Sequence, residues 1–250
     1  LIIKTKCCII PLVNNLVKTG EKYMKKKLKV LGISVLSLIL VLIIGVGMIF
    51  KGEIRTLVSF KQLNEHPFYE MTYYADYNLD EFLINGAATD DELVSFVTKQ
   101  ILKGVSFDVN PDGACSTFVA TNLEDENLFG RNFDYVHSIG LIVRTQPKNG
   151  YKSISLVNLN HLGLSLENMP TKNLINRIVT LAAPYAPLDG MNEKGLAIGV
   201  LVIQDGKVHQ NTGKVPITTT SAIRMVLDKA ATVDEAIELL KNYDMNSSGE

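Results

Sequence analysis

The chain has 250 residues, 46% of them hydrophobic and 20% charged, which is enough for one or two domains. Its formal net charge of −1 hides an asymmetry, because eight of the 25 basic residues but one of the 26 acidic residues precede Lys51. The remaining 17 basic and 25 acidic residues make the part from Lys51 onward acidic. An acidic domain argues against nucleic acid as a partner.

The first segment, residues 1–23, shows no helical or strand period that would make it a domain. Met24 opens "MKKKLKVLGISV", which has the form of a true amino terminus, with a basic region before an apolar span. We therefore interpret residues 1–23 as a non-native upstream extension that is translated in frame. A genuine cytoplasmic tail is the alternative.

A membrane anchor is predicted over residues 24–50. Its apolar part, Val30–Phe50, carries no charge and is long enough to cross a bilayer as a helix. The lysines directly before it favour a cytoplasmic start, so the part after Phe50 is expected outside a cell membrane that the chain crosses once. A cleaved signal peptide is the alternative, although no A-x-A site follows the apolar run.

Residues 51–114 are predicted to form a linker and a small helical region, either a pro-segment or a separate first chain. A strand is expected within residues 68–77. The capping box Thr89-Asp90-Asp91-Glu92 opens a helix over residues 89–103. The apolar face of this helix must be buried, which favours retention of the segment on the following domain. This face comprises Leu93, Phe96, Val97 and Ile101.

A β-hairpin is predicted after "VNPDGA", which breaks the chain before residue 115. "CSTFVATN" and "LFGRNFDY" both alternate in hydrophobicity and flank the turn "LEDEN". Folding about this turn pairs positions whose numbers sum to about 250. Asp134 is then expected nearly opposite Ser116 and Cys115, with Arg131 about one step further into the hairpin.

The remainder predicts a mixed α+β domain in which helices pack on sheets. Strands are expected at "GLIVRTQP", "KSISLVNLN" and "GLAIGVLVI". Helices are expected at "TKNLINRIVTLAAP", at "TTSAIRMVLDKAA" and over residues 232–243, where a capping box begins at Thr232. "DGMNEKG", residues 189–195, has the composition of a turn.

Cysteine and histidine usage narrows the chemistry. Cys7 and Cys8 precede the predicted anchor, so Cys115 is alone in the outer part and cannot form a disulfide within it. The sequence has no CxxC pair, no HExxH motif and no histidine spacing typical of metal ligands, so no metal or other cofactor is expected. The histidines are His66, His137, His161 and His209.

Cys115 is either a buried apolar residue in a strand or a nucleophile. A thiol attacks a carbonyl as its thiolate, which a guanidinium such as that of Arg131 stabilises. An α-amine has an ordinary pKa of about 7.7 to 8.0, so cleavage between Ala114 and Cys115 would supply a base. Asp134 would orient that amine. The alternative for Arg131 and Asp134 is an ordinary surface ion pair.

The motifs "CST", "GRNFDY" and "DGMNEKGLA" together resemble the choloylglycine hydrolase or penicillin V acylase family, over about residues 113–245. The resemblance implies an amino-terminal-nucleophile hydrolase that cuts linear amide C–N bonds. Its fold would be an αββα sandwich, of which residues 115–250 are the first part. The resemblance also implies catalytic roles for Cys115, Arg131 and Asp134.

Further implications concern positions around this core. The segment before Cys115 is similar to that of the acid ceramidase and N-acylethanolamine amidase branch, in which autoproteolysis leaves the amino-terminal piece associated. Asn192 is either a substrate-binding or a structural turn residue. At the oxyanion position, where bile salt hydrolases have Asn and penicillin V acylases have Tyr, this chain has Val202, which cannot donate a hydrogen bond. The family's other oxyanion Asn and an Arg lie further downstream, so we expect the domain to be truncated at Glu250.

The expected function is hydrolysis of a small-molecule N-acyl amide through a Cys115 thioester, activated by autocleavage. Acylated amino acids, penicillins, lactone signals and lipid amides all remain candidate substrates. Acyl transfer to an amine through the same thioester is one alternative, and an inactive membrane-tethered binding protein is another. The oligomeric state is open.

Overall fold

The computed structural model describes residues 9–107, 114–134, 138–201 and 208–247. The chain divides after Lys51 into two compact units. The first unit is one helix, α1 (Ile9–Ile49), which extends upstream into the segment where the sequence shows no period. Within it, Lys22–Ile49 is 28 residues long and contains a window of mean hydropathy 2.8, enough to span a membrane. The predicted span, Val30–Phe50, coincides with this stretch to within one residue at its end.

The second unit has the mixed α+β fold that the sequence predicts. Its α-helices are α2 (Lys51–Ser59), α3 (Leu79–Asn85), α4 (Asp90–Gln100), α5 (Leu174–Val179), α6 (Thr219–Lys229) and α7 (Val233–Leu240). Its strands are β1 (Lys61–Gln62), β2 (Phe68–Tyr73), β3 (Ala114–Thr121), β4 (Asn127–Asp134), β5 (Gly140–Thr145), β6 (Ser153–Asn158), β7 (Asp189–Asn192), β8 (Ala197–Gly199), β9 (Val215–Thr218) and β10 (Tyr243–Asn246). Two 3-10 helices cover Leu159–Leu162 and Thr180–Tyr185.

One predicted boundary near the end of the described chain is wrong. The helix expected over residues 232–243 ends at Leu240, and Tyr243 already begins β10. The reason is strand pairing, because β10 runs parallel to β9 with Tyr243 opposite Val215. The expected cap of the helix is present, since the Thr232 hydroxyl accepts a hydrogen bond from the backbone N–H of Glu235.

Six strands form the main sheet in the order β1-β2-β5-β6-β7-β8. β2 runs parallel to β5, and the other neighbours in this sheet are antiparallel. The β2–β5 pairing extends from Phe68 opposite Gly140 to Tyr73 opposite Thr145. The part of the chain before Cys115 therefore supplies an interior strand of the main sheet.

Helix α4 packs its apolar face into the core, as its pattern predicts. Leu93, Val97 and Ile101 are buried, and Phe96 packs against the same cluster while partly buried. The Phe96 ring meets the ring of Tyr185 edge-on, with centroids 5.7 Å apart. Tyr185 follows Cys115 in the sequence, so residues on both sides of Cys115 share one hydrophobic core.

A charged network is also buried between these two parts of the chain. The guanidinium of Arg224, which is fully buried, donates to Asp228 Oδ1 and to Ser153 Oγ, both at 2.6 Å. The hydroxyl of Tyr77 donates to Asp228 Oδ2 at 2.5 Å. Burial raises the pKa of the Asp228 carboxyl, and the charge of Arg224 opposes that rise. The Tyr77 bond links the segment before Cys115 to helix α6.

Replacing Asp228 by Ala removes the counter-charge and leaves the Arg224 guanidinium buried without a carboxylate. We expect Asp228→Ala to lower the free energy of unfolding by about 3–5 kcal/mol. Urea unfolding of the full chain, followed by circular dichroism, measures this loss. Asp80→Ala is the control, because it removes an ion pair with Lys229 in which Asp80 is exposed, and such pairs contribute less than about 1 kcal/mol. Equal stability of the two variants would contradict a structural role for the buried pair.

Candidate active site

The site is built on the β3–β4 hairpin, which the sequence predicts correctly as an element. Its register places Ala114 opposite Asp134 and Thr117 opposite Arg131. The sequence prediction, which put Asp134 nearly opposite Cys115, is wrong by one to two residues. Each residue of β3 therefore has as its partner a residue of β4 that is nearer the turn than the sequence predicts.

The loop of the hairpin explains this shift. The backbone N–H of Asn122 donates to the carbonyl of Glu126, and that of Asp125 donates to the carbonyl of Asn122. Asp125 has a φ of 59°, the left-handed conformation that closes a three-residue hairpin loop. The Asn122 side chain accepts hydrogen bonds from the N–H groups of Glu124 and Glu126. The loop is thus tighter than the turn "LEDEN", and the centre of the hairpin lies earlier in the chain.

The faces of the hairpin decide which side chains meet. Side chains alternate along a strand, so Cys115 and Arg131 lie on one face and Asp134 lies on the other. Asp134 is exposed and accepts a hydrogen bond from the amide of Asn132 at 2.6 Å. Because Asp134 is opposite Ala114, it lies across from the residue before Cys115, not across from the sulfur.

The glycine of the "GRNFDY" motif has a packing reason. Gly130 lies opposite Phe118, whose ring covers it. A Cβ atom at residue 130 would lie 2.0 Å from a ring carbon of Phe118. A larger residue at this position would therefore displace the exposed ring of Phe118.

Arg131 contacts the sulfur of Cys115 directly. Its Nη2 atom lies 2.9 Å from Cys115 Sγ and donates to the carbonyl of Val200 at 2.7 Å. Its Nη1 atom donates to the carbonyls of Ser116 and Asn132. Cys115 is half-buried, so the guanidinium acts on the thiol with less screening than at an open surface. The predicted meeting of Arg131 with the sulfur is present in the structure.

Asp189 completes the surroundings of Arg131. Its Oδ2 atom lies 3.6 Å from Arg131 Nε, and both side chains are almost wholly buried. Burial raises the pKa of the Asp189 carboxyl, and the positive charge of Arg131 opposes that rise. Gly199 lies opposite Asp189 in the β7–β8 pair and next to Arg131.

Sequence reasoning missed Asp189 because it treated residues 189–195 as a turn. Residues Asp189–Asn192 instead form β7, and the turn begins at Glu193. A signal was available, since an apolar strand directly after a tight turn implies a partner strand directly before it. Pairing the residues around Glu193 on that basis would have brought Asp189 into the sheet.

Asn192 has a structural place at the end of β7. It is buried, and its amide donates to the carbonyls of Leu227 and Ala230 at the end of α6, at 3.1 and 2.7 Å. Its side-chain oxygen accepts hydrogen bonds from the N–H groups of Lys194 and Leu196. These contacts favour a structural role for Asn192 over a substrate-binding one.

Several predicted positions lie outside the described residues. These are His137, Val202 and most of the segment that precedes the expected cleavage between Ala114 and Cys115. Within the described ranges, no group of three or more His, Cys, Asp or Glu side chains is arranged to hold a metal ion.

The comparisons with known proteins bear on the same stretch of chain. The sequence model of the family described as linear amide C–N hydrolases, choloylglycine hydrolase family, matches residues 115–248, more than half of the chain. The chain belongs to this family. No curated protein and no solved structure gave a match.

Membership of the choloylglycine hydrolase family confirms the resemblance carried by the sequence motifs and supports hydrolysis of linear amides in general. The family match begins at Cys115, the residue that the Arg131 guanidinium contacts. It also includes Val200, whose carbonyl accepts a hydrogen bond from Arg131, and Asp189, which forms an ion pair with it.

Replacing Asn192 by Ala removes hydrogen bonds that join the β7–β8 turn to α6. We expect Asn192→Ala to lower the free energy of unfolding by at least about 2 kcal/mol, since each buried group left unsatisfied costs about 1–3 kcal/mol. The alkylation rate of Cys115 should stay within about twofold of wild type, because the hydrogen bonds of the Asn192 side chain go to the β7–β8 turn and to α6 and not to the sulfur or Arg131. Asn149→Ala, which removes an exposed amide, is the control and should change stability by less than about 0.5 kcal/mol. Wild-type stability with lost amide hydrolysis would instead make Asn192 a substrate-binding residue.

Proposed function

We propose that this protein is a membrane-anchored amidase that hydrolyses the linear amide C–N bond of a small N-acyl substrate through a Cys115 thioester. Its catalytic part lies outside the cell membrane, and the chain cuts itself between Ala114 and Cys115 to become active. The observation that carries the proposal is the 2.9 Å contact between the Arg131 guanidinium and Cys115 Sγ, at the residue where the family match begins.

The electrostatics of the site support Cys115 as the nucleophile. A thiolate is the attacking form of cysteine, and a guanidinium next to the sulfur stabilises it. The carbonyls of Val200 and Ser116 hold the guanidinium in place, so its charge stays directed at Cys115. Preorganised charge of this kind needs no rearrangement when the substrate arrives.

The proposed base is the α-amine that cleavage creates at Cys115. An α-amine has an ordinary pKa close to neutral pH, which suits proton transfer. Asp134 lies across from Ala114, and its side chain lies on the face away from the sulfur. That position suits a carboxylate that orients the new amine, while Arg131 serves the sulfur.

The proposed reaction has two halves. Cys115 Sγ attacks the amide carbon while the thiol proton passes to the α-amine, and backbone N–H groups bind the oxygen that becomes negative. The α-amine then gives the proton to the leaving nitrogen, the C–N bond breaks, and an acyl thioester remains. Water, deprotonated by the α-amine, attacks the thioester and releases the carboxylic acid with the restored thiol.

The finer points of the fold belong to the same proposal. We take the domain from Cys115 onward to be part of an αββα amino-terminal-nucleophile sandwich, and residues 51–114 to be the first chain of the mature enzyme. The pairing of β2 with β5 and the core shared with α4 support the second point. No cofactor takes part in the proposed reaction.

Replacing Cys115 tests both the cleavage and the chemistry. Cys115→Ala should abolish the fragment that begins at Cys115 and lower the hydrolysis of N-acyl p-nitroanilides by at least about a thousandfold, as expected for loss of a nucleophile. Mass spectrometry of the full chain detects the fragment, and absorbance measures p-nitroaniline release. Ser116→Ala is the matched control, one residue along the same strand. Hydrolysis by a protein that stays uncut would refute the α-amine as base.

Cleavage should leave the two pieces associated, because β2 and α4 belong to the core of the second unit. An affinity tag on the amino terminus should therefore capture the Cys115 fragment in mild detergent and release it in urea. Met71→Ala, which opens a cavity under β2, should weaken this capture through a loss of about 2–5 kcal/mol. Ile84→Ala, at an exposed position, should not. A Cys115 fragment found only in the culture medium would show that the first piece is discarded.

A further inference from the structure

The guanidinium that contacts the Cys115 sulfur also takes part in a buried ion pair. Arg131 Nε and Asp189 Oδ2 face each other at 3.6 Å, with side chains 6% and 12% exposed. Neither of these two atoms has a hydrogen-bond partner in the described part of the chain. The interaction between them is therefore one of charge more than of hydrogen bonding.

The remaining nitrogens of the guanidinium are already fixed. Nη1 donates to the carbonyls of Ser116 and Asn132, and Nη2 donates to the carbonyl of Val200. These bonds come from both the hairpin and the main sheet, so they orient Arg131 without help from Asp189. What Asp189 adds is a negative charge beside Nε of the guanidinium whose Nη2 contacts the sulfur.

We propose that Asp189 is the counter-charge of Arg131 and limits how strongly the guanidinium attracts the Cys115 sulfur as a thiolate. A thiolate that is held too strongly is a poorer nucleophile, because nucleophilicity falls as thiolate stability rises. A partly neutralised Arg131 leaves Cys115 as a thiol whose proton can pass to a base when substrate binds. Asp189 is thus a residue that tunes the nucleophile through Arg131. This inference rests on Cys115 being the nucleophile of the proposed amidase.

The other charged side chains near this pair are engaged elsewhere. Asp134 lies on the opposite face of the hairpin and accepts a hydrogen bond from Asn132. On α6, which packs against β7 and β8, Arg224 and Asp228 pair with each other. β6 and β8 contribute no charged side chain. In the described part of the chain, Asp189 is therefore the carboxylate paired with Arg131.

The test measures the sulfur instead of turnover. The full chain is alkylated with iodoacetamide over a range of pH, and mass spectrometry of the peptide that contains Cys115 gives the rate. With Asp189→Asn, we expect the pH of half-maximal alkylation to fall by about half to one unit. The rate near about pH 6 should then rise about two- to fourfold, because the lower nucleophilicity of the more stable thiolate offsets part of the gain in thiolate. The plateau at high pH should not rise.

Two controls separate charge from structure. Glu193→Gln removes the same charge from the turn between β7 and β8, where Glu193 is exposed, and should leave the profile unchanged. In an Arg131→Gln background, Asp189→Asn should have less than about a 1.5-fold effect, since the pair no longer exists and the coupling is lost. Asp189→Ser serves as a second variant, and thermal unfolding shows that each variant is folded.

The outcomes are distinct. An unchanged or slower alkylation near about pH 6 in both folded Asp189 variants would overturn the proposal, and so would an equal effect in the Arg131→Gln background. If the wild type alkylates as expected and shifts with Asp189→Asn but hydrolyses no amide, the proposed function fails while the role of Asp189 stands. If amide hydrolysis is found but Asp189→Asn causes no such shift, the role of Asp189 fails while the proposed function stands.

Discussion

The hydrogen bond from Arg131 to the Cys115 sulfur depends on the register of one hairpin. The three-residue loop at Asp125 fixes which residue of β4 lies beside which residue of β3. A slip by one residue would move Arg131 to the opposite face from the sulfur, because side chains alternate along each strand. The exposed loop, with no side chain of its own in the site, is therefore what brings the two groups together.

The hairpin is joined to the main sheet through the same arginine. Val200, directly after β8, accepts a hydrogen bond from the guanidinium, and Asp189 of β7 forms an ion pair with it. The carbonyl of Ser116 accepts another hydrogen bond from the hairpin. The sulfur comes from one sheet and much of its electrostatic environment from another. Neither sheet alone supplies the arrangement, so the chemistry of the site is tied to how the two sheets pack.

Much of this arrangement follows from the sequence, and the exceptions have physical causes. The apolar period of α4, the alternation of β3 and β4, and the motif residues Cys115 and Arg131 are local signals, and the structure contains these elements. The predicted register of the hairpin was wrong because the register depends on the left-handed conformation of Asp125, which the composition of the turn does not specify. The sequence analysis did not predict the contact of Asp189 with Arg131, because it joins two strands that are distant in the chain.

The position of β2 in the main sheet carries a consequence for the order of events in the life of the protein. β2 and β5 lie on opposite sides of the Ala114–Cys115 bond, and their pairing forms while one continuous chain holds them at high effective concentration. If the proposed cleavage cuts that bond, the same pairing joins two molecules. An uncut chain can then refold from denaturant at any dilution, whereas cut pieces must find each other, so recovery of the mature form depends on protein concentration. The proposed cleavage would thereby leave the mature fold held mainly by the slowness of unfolding.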